Sequence, residues 1–225
     1  MKKSLAEYHT LIDLFEEFRE LIKPKVINGV PDFTAVAMER QHSGLKLLQN
    51  RLGTIEISNW DIPKKVDYHV VRAEMNGVEF DHRVLKQWSR DPGFYNLTDG
   101  IYPRLLVHHS RSLSDWGLYE PSVPLSTKDQ EDFKVKLKAI PELFNQAKFN
   151  LTDAVPDLAE IAIRVKEKDI QLLESFMKDF SVHHSELLPI VEEAIAATKD
   201  FRDWLIEKKD TMIGKVGIGK DNYNW

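Results

Sequence analysis

The chain has 225 residues, room for one large domain or two small ones, and its 31 basic against 36 acidic side chains leave a net charge of −5. That balance provides no cationic surplus to coat a phosphate backbone and excludes nucleic acid as the expected partner. A content of 42% apolar and 30% charged residues is that of a globular protein, and the lack of cysteine removes disulfides, thiol nucleophiles and thiolate zinc sites. Glu7, Asp13, Glu16 and Glu17 break the N-terminal segment before it reaches signal-peptide length. No apolar run approaches the roughly 20 residues of a membrane span. The expectation is a soluble chain without membrane contact, its compartment open but with the cytoplasm slightly favoured.

Apolar residues recur at the 3.6-residue period through most of the sequence, which predicts an all-α, multi-helix array over residues 1–225. The first helix runs from about Ser4 to Lys23 and Pro24 ends it. The second comes after the turn Gly29-Val30-Pro31-Asp32, with Asp32 as its expected N-cap, and stops at Gly53. The third spans about Asp61 to Ser89. Beyond it lies a long irregular segment at about 90–127, with four prolines and three glycines and a short helix expected at Tyr102 to His109. A fourth helix covers about Lys128 to Leu151 with a kink at Pro141, a fifth starts near Pro156, and a sixth covers about Ser185 to Lys209. After Gly214, Gly217 and Gly219, Asp221 reads as the N-cap of a helix that stops within its first turn. The chain therefore reads as a single helical region and a fragment of a larger domain.

The third helix carries the densest polar constellation. At 100° per residue, Asp67, Glu74, Asp81 and His82 fall beside Val78 on its apolar face, while Arg72, Asn76 and Arg83 cluster with Phe80 on the reverse. Buried carboxylates demand partners, so this pattern reads either as a network that locks helices together or as the wall of a substrate groove.

Metal motifs are sparse. None of the eight histidines is followed by Glu, and the adjacent pairs His108-His109 and His183-His184 diverge too far on a helix to share an ion easily. Two Glu-x-x-His tetrads, Glu39 to His42 and Glu79 to His82, fit half of a di-metal carboxylate bundle. Eighteen glutamates and eight histidines in 225 residues give about 0.6 such tetrads by chance, so two is a small excess. Gly214 to Lys220 has the spacing of a phosphate loop, but Asp221 stands where the magnesium-binding hydroxyl belongs. Asn96-Leu97-Thr98 and Asn150-Leu151-Thr152 fit the glycosylation pattern. The aromatic side chains Trp88, Phe94, Tyr95, Tyr102, Trp116 and Tyr119 either pin the long loop or line a pocket.

The stretches from Val71 to Gly77 and from Val84 to Tyr95, with Gly29 to Thr34 and Gly217 to Trp225, resemble a bacterial family known only as domain of unknown function 885. The resemblance covers essentially the whole chain. It implies the N-terminal part of a helical zinc peptidase of the thermolysin superfamily, in which a zinc-activated water attacks an amide carbonyl. It also implies that the His-Glu metal segment lies downstream, so that this part holds no catalytic residue and no metal ligand. Zinc, a peptide-like substrate and the missing C-terminal portion are the implied cofactor and partners of the whole protein. On this reading Arg72, Glu74, Asp81 and Arg83 belong to the cleft wall, and Asn222 with Tyr223 approach the cleft. The alternative is a non-catalytic helical scaffold that binds a ligand or protein; a third reading is the di-metal bundle.

Overall fold

A computed structural model describes residues 2–97, 118 and 122–224. The fold is all-α, with one two-stranded hairpin among the described residues. No helix among them is long and apolar enough to cross a membrane. The chain divides into two compact units, Met1–Pro24 with Thr34–Leu85, and Lys25–Phe33 with Lys86–Trp225.

The first unit holds helices α1 (Lys2–Leu21), α2 (Ala35–Gly53) and α3 (Ile62–Phe80), which pack on one another. Each helix contributes its core residues at the same i, i+3, i+7 spacing: Leu11, Leu14 and Phe18; Leu45, Leu48 and Leu52; Tyr68, Val71 and Met75. That spacing is one stripe of an α-helix, and each large side chain so buried stabilises by about 1.5–3 kcal/mol. Trp60, in the loop before α3, closes the core, with Tyr8 edge-on to it at 5.7 Å. The N-cap of α2 is Thr34, whose Oγ1 accepts from the Ala37 amide at 3.3 Å, and the expected cap Asp32 lies outside the helix. Asp61 caps α3 as its carboxylate accepts from the Lys64 amide at 3.1 Å.

The predicted third helix is too long. α-Helical geometry ends at Phe80, a π-helical turn covers Asp81–Leu85, and Lys86 then adopts a left-handed conformation with φ 44° and ψ 47°. A non-glycine residue there ends a right-handed helix outright. The Lys86 carbonyl opens a separate short helix, α4 (Gln87–Arg90), by accepting from the amides of Ser89 and Arg90.

The second unit is built on α5 (Thr127–Asn150), α6 (Pro156–His183) and α7 (Leu188–Lys208), with α7 packed on both others. Phe133, Phe176 and Phe180 form a mutually edged or stacked cluster, and Phe144 stacks on Phe201 at 4.7 Å. The expected helix starts at Lys128 and Pro156 agree with these elements within a residue, and Pro141 lies inside α5 as expected. Strand β1 (Val26–Ile27) pairs antiparallel with β2 (Val30–Pro31) across Asn28 and Gly29, whose φ values of 52° and 84° are those of a two-residue hairpin turn. Two amide side chains one turn apart on α5 hold the end of this hairpin and Phe33 beyond it. Gln146 accepts from the Phe33 amide at 2.6 Å and donates to the Pro31 carbonyl, while Asn150 donates to the Phe33 carbonyl at 2.8 Å.

Past α7 the chain runs back over the α5–α6 loop. Gly214 donates to the Ala154 carbonyl at 3.0 Å, and Arg90 reaches both the Lys215 carbonyl and the Asp153 carboxylate. The final helix α8 (Lys220–Tyr223) is capped by Gly219, with Asp221 inside its first turn, which corrects the expected cap. A Cβ on Gly214 would stand 2.5 Å from the Asp153 carbonyl oxygen and 2.7 Å from that of Ala154, two backbone atoms that cannot swing away. Gly214→Ala is therefore expected to lift the segment, costing about 1–3 kcal/mol in urea unfolding and opening it to limited proteolysis.

Candidate functional site

The first unit gathers a polar cluster where α2, α3 and the π turn meet. Gln41 and His42 come from α2, Glu79 from the last turn of α3, and Asp81 and His82 from the π turn. His42 Nε2 donates to Glu79 at 3.0 Å, and His82 Nε2 stands 2.9 Å from Gln41 Oε1. Gln41 donates through its own nitrogen to the Leu21 carbonyl at 3.1 Å, which orients its oxygen as an acceptor. His82 therefore carries a proton on Nε2, and its Nδ1 is the bare nitrogen of the neutral ring. The two imidazoles stack with centroids 5.1 Å apart and planes within 7°. Further along the same helices, Gln49 donates to Asn76 at 3.3 Å.

Burial acts on this cluster with opposite sign for its two kinds of group, because it penalises whichever form is charged. It pushes the Asp81 carboxyl up to about 7. It pushes His82 down to about 4, helped by the neighbouring His42 and opposed by Glu79. Between about pH 4 and about pH 7 Asp81 and His82 are consequently both neutral. Such paired shifts beside an irregular helical turn mark a candidate site.

The tetrads read in the sequence thus converge in part. His42, Glu79 and His82 come together, while Glu39 is exposed. The rings lie in parallel planes and address different partners. Among the described residues there is no group of three or more His, Asp or Glu placed to hold a metal ion.

The cleft candidates fall in both units. Arg72 and Arg83 are exposed and Glu74 is half-buried, all in the first unit with Asp81. Asn222 and Tyr223 belong to the second, where Asn222 donates to the Ile218 carbonyl at 2.9 Å and Tyr223 is 81% exposed. Between the helices, His42 pairs with the α3 carboxylate Glu79, Gln49 with Asn76 and Gln41 with His82 of the π turn, and the spacing within α3 alone does not reveal these α2 partners. Asp67 is exposed and accepts from the Tyr8 hydroxyl at 2.6 Å. The expected Tyr102–His109 helix, with Trp116 and Tyr119, lies outside the described residues.

A second polar cluster, which the helical spacing does not single out, lies in the core of the second unit. Lys166 is wholly buried in α6. Its ammonium donates to Asp169 at 2.6 Å and to the Tyr95 carbonyl at 2.9 Å, and it stands 5.1 Å from the centroid of the Phe144 ring, so all three N–H directions are used. Tyr95 donates to the Trp88 carbonyl at 2.6 Å and accepts from Asn150 at 2.8 Å. Burial drives Lys166 down against the pull of Asp169, and drives the Tyr95 phenol up. Asn150 is buried with its amide bonded twice, which removes it as a glycosylation acceptor. Of the histidine pairs, His183 is exposed, and His184 is buried and accepts from the Leu125 amide at 2.7 Å. The signal for the lysine is a Lys-x-x-Asp on the apolar stripe of a helix, a place where an unpaired charge is not tolerated.

The architecture is thus that of an all-helical chain in two compact units, with a buried polar cluster in each. No protein-family model matches the chain, nor does any curated protein. A solved structure described as "a putative lipoprotein of unknown function from Shewanella oneidensis" matches 92% of this chain with a TM-score of 0.60 at 16% identity. At that identity the likeness is one of fold. The chain spans 37% of the length of that protein.

Two outcomes are expected from the geometry. A carboxyl whose pKa is raised by folding contributes stability below its unfolded value near 3.8, and that contribution is lost as pH rises through about 7. Asp81→Asn is therefore expected to match the parent at pH 3.5 and to exceed it by roughly 3–5 kcal/mol at pH 8, read by chemical denaturation at both pH values. In the second unit, Asp169→Ala strands the Lys166 ammonium and is expected to cost about 3–5 kcal/mol, while Lys166→Met with Asp169→Leu costs far less.

Proposed function

We propose that this chain is the N-terminal helical portion of a zinc-dependent peptidase, forming one wall of the peptide cleft while the metal ligands and general base lie further along the sequence. The observation that supports the reading of a part of something longer is the match of 92% of this chain to 37% of a much longer protein, while zinc and peptide come from the family resemblance alone. An apolar stripe on α3 supports it: Ile62, Val66 and Val70, spaced four apart on one face, are each more than half exposed. A stripe of that kind suits a helix whose packing partner lies in another part of the protein. Arg72, exposed on α3 of the first unit, is the side chain assigned to the bound peptide.

The same stripe also suits the alternative, a non-catalytic scaffold that binds a ligand or protein along α3. The neighbour's description as a lipoprotein gives the cytoplasmic expectation no support.

The deciding experiment reads the frame beyond codon 225 in the source DNA and weighs the native product. Continuation into a His-Glu zinc segment is expected, with one zinc per molecule and hydrolysis of unstructured peptides by the whole protein. A stop codon after Trp225 would overturn the reading and leave the scaffold. In the whole protein, Arg72→Ala is expected to raise KM for peptides about fivefold at unchanged kcat, the signature of a lost binding contact worth about 1 kcal/mol.

A further inference from the structure

We propose that the stacked His42–His82 pair is a proton-operated latch that holds the π turn Asp81–Leu85 against α2 while His82 is neutral and releases it when His82 takes up a proton. The latch is independent of the peptidase reading and goes beyond it.

Three observations carry the proposal. First, the stack is a contact between elements: one ring belongs to α2 and the other to the π turn, parallel within 7° and 5.1 Å apart. A second positive charge on that pair sets like charges face to face in a half-buried place, where screening is weak. Second, hydrogen bonds tether the His82 ring to its neighbours through Nε2, so that an added proton falls on Nδ1. The chain of donors runs from His82 Nε2 to Gln41 Oε1 and from Gln41 Nε2 to the Leu21 carbonyl, so one relay ties the π turn, α2 and the end of α1. Third, the anchored segment is a π turn, an irregularity that sits most often at functional sites and is easier to open than regular α-helix.

The groups that bear on His82 decide when it takes up a proton. From α2 it meets His42, which opposes its protonation; from α3 it meets Glu79, which favours it; α1 presents the neutral Leu21 carbonyl through Gln41. Asp81 precedes it on the same turn and is uncharged below about pH 7. His42 has the Glu79 carboxylate as its partner at 3.0 Å, and its charge opposes that of His82 across the stack. His82 takes up its proton in the range where burial has displaced it, near pH 4. A histidine lowered by folding contributes stability above its unfolded value near 6.5 and loses it as pH falls through about 4. The latch is therefore closed at neutral pH and opens in acid.

The test is a titration of the 225-residue chain from pH 7.5 to 3.5, following the imidazole carbon-bound protons of His42 and His82 and the hydrogen-exchange protection of the amides of residues 81–85. A His82 midpoint well below the usual imidazole range is expected, with protection of the turn falling at least about tenfold as His82 titrates, about 1.4 kcal/mol. His82→Gln retains a donor for Gln41 Oε1 and takes up no proton, so protection there stays level to pH 3.5. His42→Gln removes the opposing charge, so the His82 midpoint rises. A His82 midpoint at the ordinary value, protection indifferent to His82, or a His82 midpoint unmoved in His42→Gln would each overturn the latch. The wild-type titration decides the matter even where a variant does not fold.

Discussion

The ammonium of Lys166, sealed from water, organises the second unit. An unpaired cation there would cost far more than the unit could spare, so its three N–H directions are matched by a carboxylate, a carbonyl and an aromatic face. Satisfying it fixes Tyr95, and Tyr95 fixes Trp88 and Asn150 in turn. Through Asn150 the constraint reaches Phe33 and the hairpin before it. Apolar packing of α5, α6 and α7 accounts for most of the stabilisation. The polar chain explains why three segments far apart in sequence meet in one arrangement and no other.

The first unit solves the same problem differently. Its core is a plain three-helix stripe, and its buried polar cluster sits where α3 gives way to the π turn. Asp81 and His82 are half-buried there in forms that carry no charge at mildly acidic pH. One unit thus keeps its buried charge and balances it, while the other discards charge by moving protonation equilibria. The second solution is the less costly at a single pH and the more responsive when pH changes.

Much of the fold is legible in the sequence because helical periodicity survives in each long segment. Leu45, Leu48 and Leu52, or Phe133, Leu137 and Ile140, announce their helices without outside information. The errors lie where the backbone leaves the right-handed region. Lys86 ends α3 early with no glycine or proline to signal it, and the segment around Asn28-Gly29 reads as a turn alone, although Asn-Gly between Val26-Ile27 and Val30 is a strong hairpin signal. The candidate site is half legible. Two Glu-x-x-His tetrads point to His42, Glu79 and His82, but their joining depends on how α2 and α3 pack, which spacing along one helix does not encode. The role of Gln41 has no sequence signal, since an exposed glutamine and one that sets a tautomer read alike.

The hairpin has a consequence for how the protein is made. Residues 25–33 leave the ribosome between α1 and α2, yet they belong to the unit that α5 completes, and the bond from Phe33 to Gln146 closes a separation of 113 residues. The helices on either side have all the sequence they need to fold around their own core long before that bond can form. The hairpin must therefore wait, looped out of a nearly finished neighbour, until α5 emerges. Neither unit is one continuous stretch of chain, so no single cut separates them, and an expression fragment ending at Leu85 carries an orphaned strand pair with its apolar side uncovered.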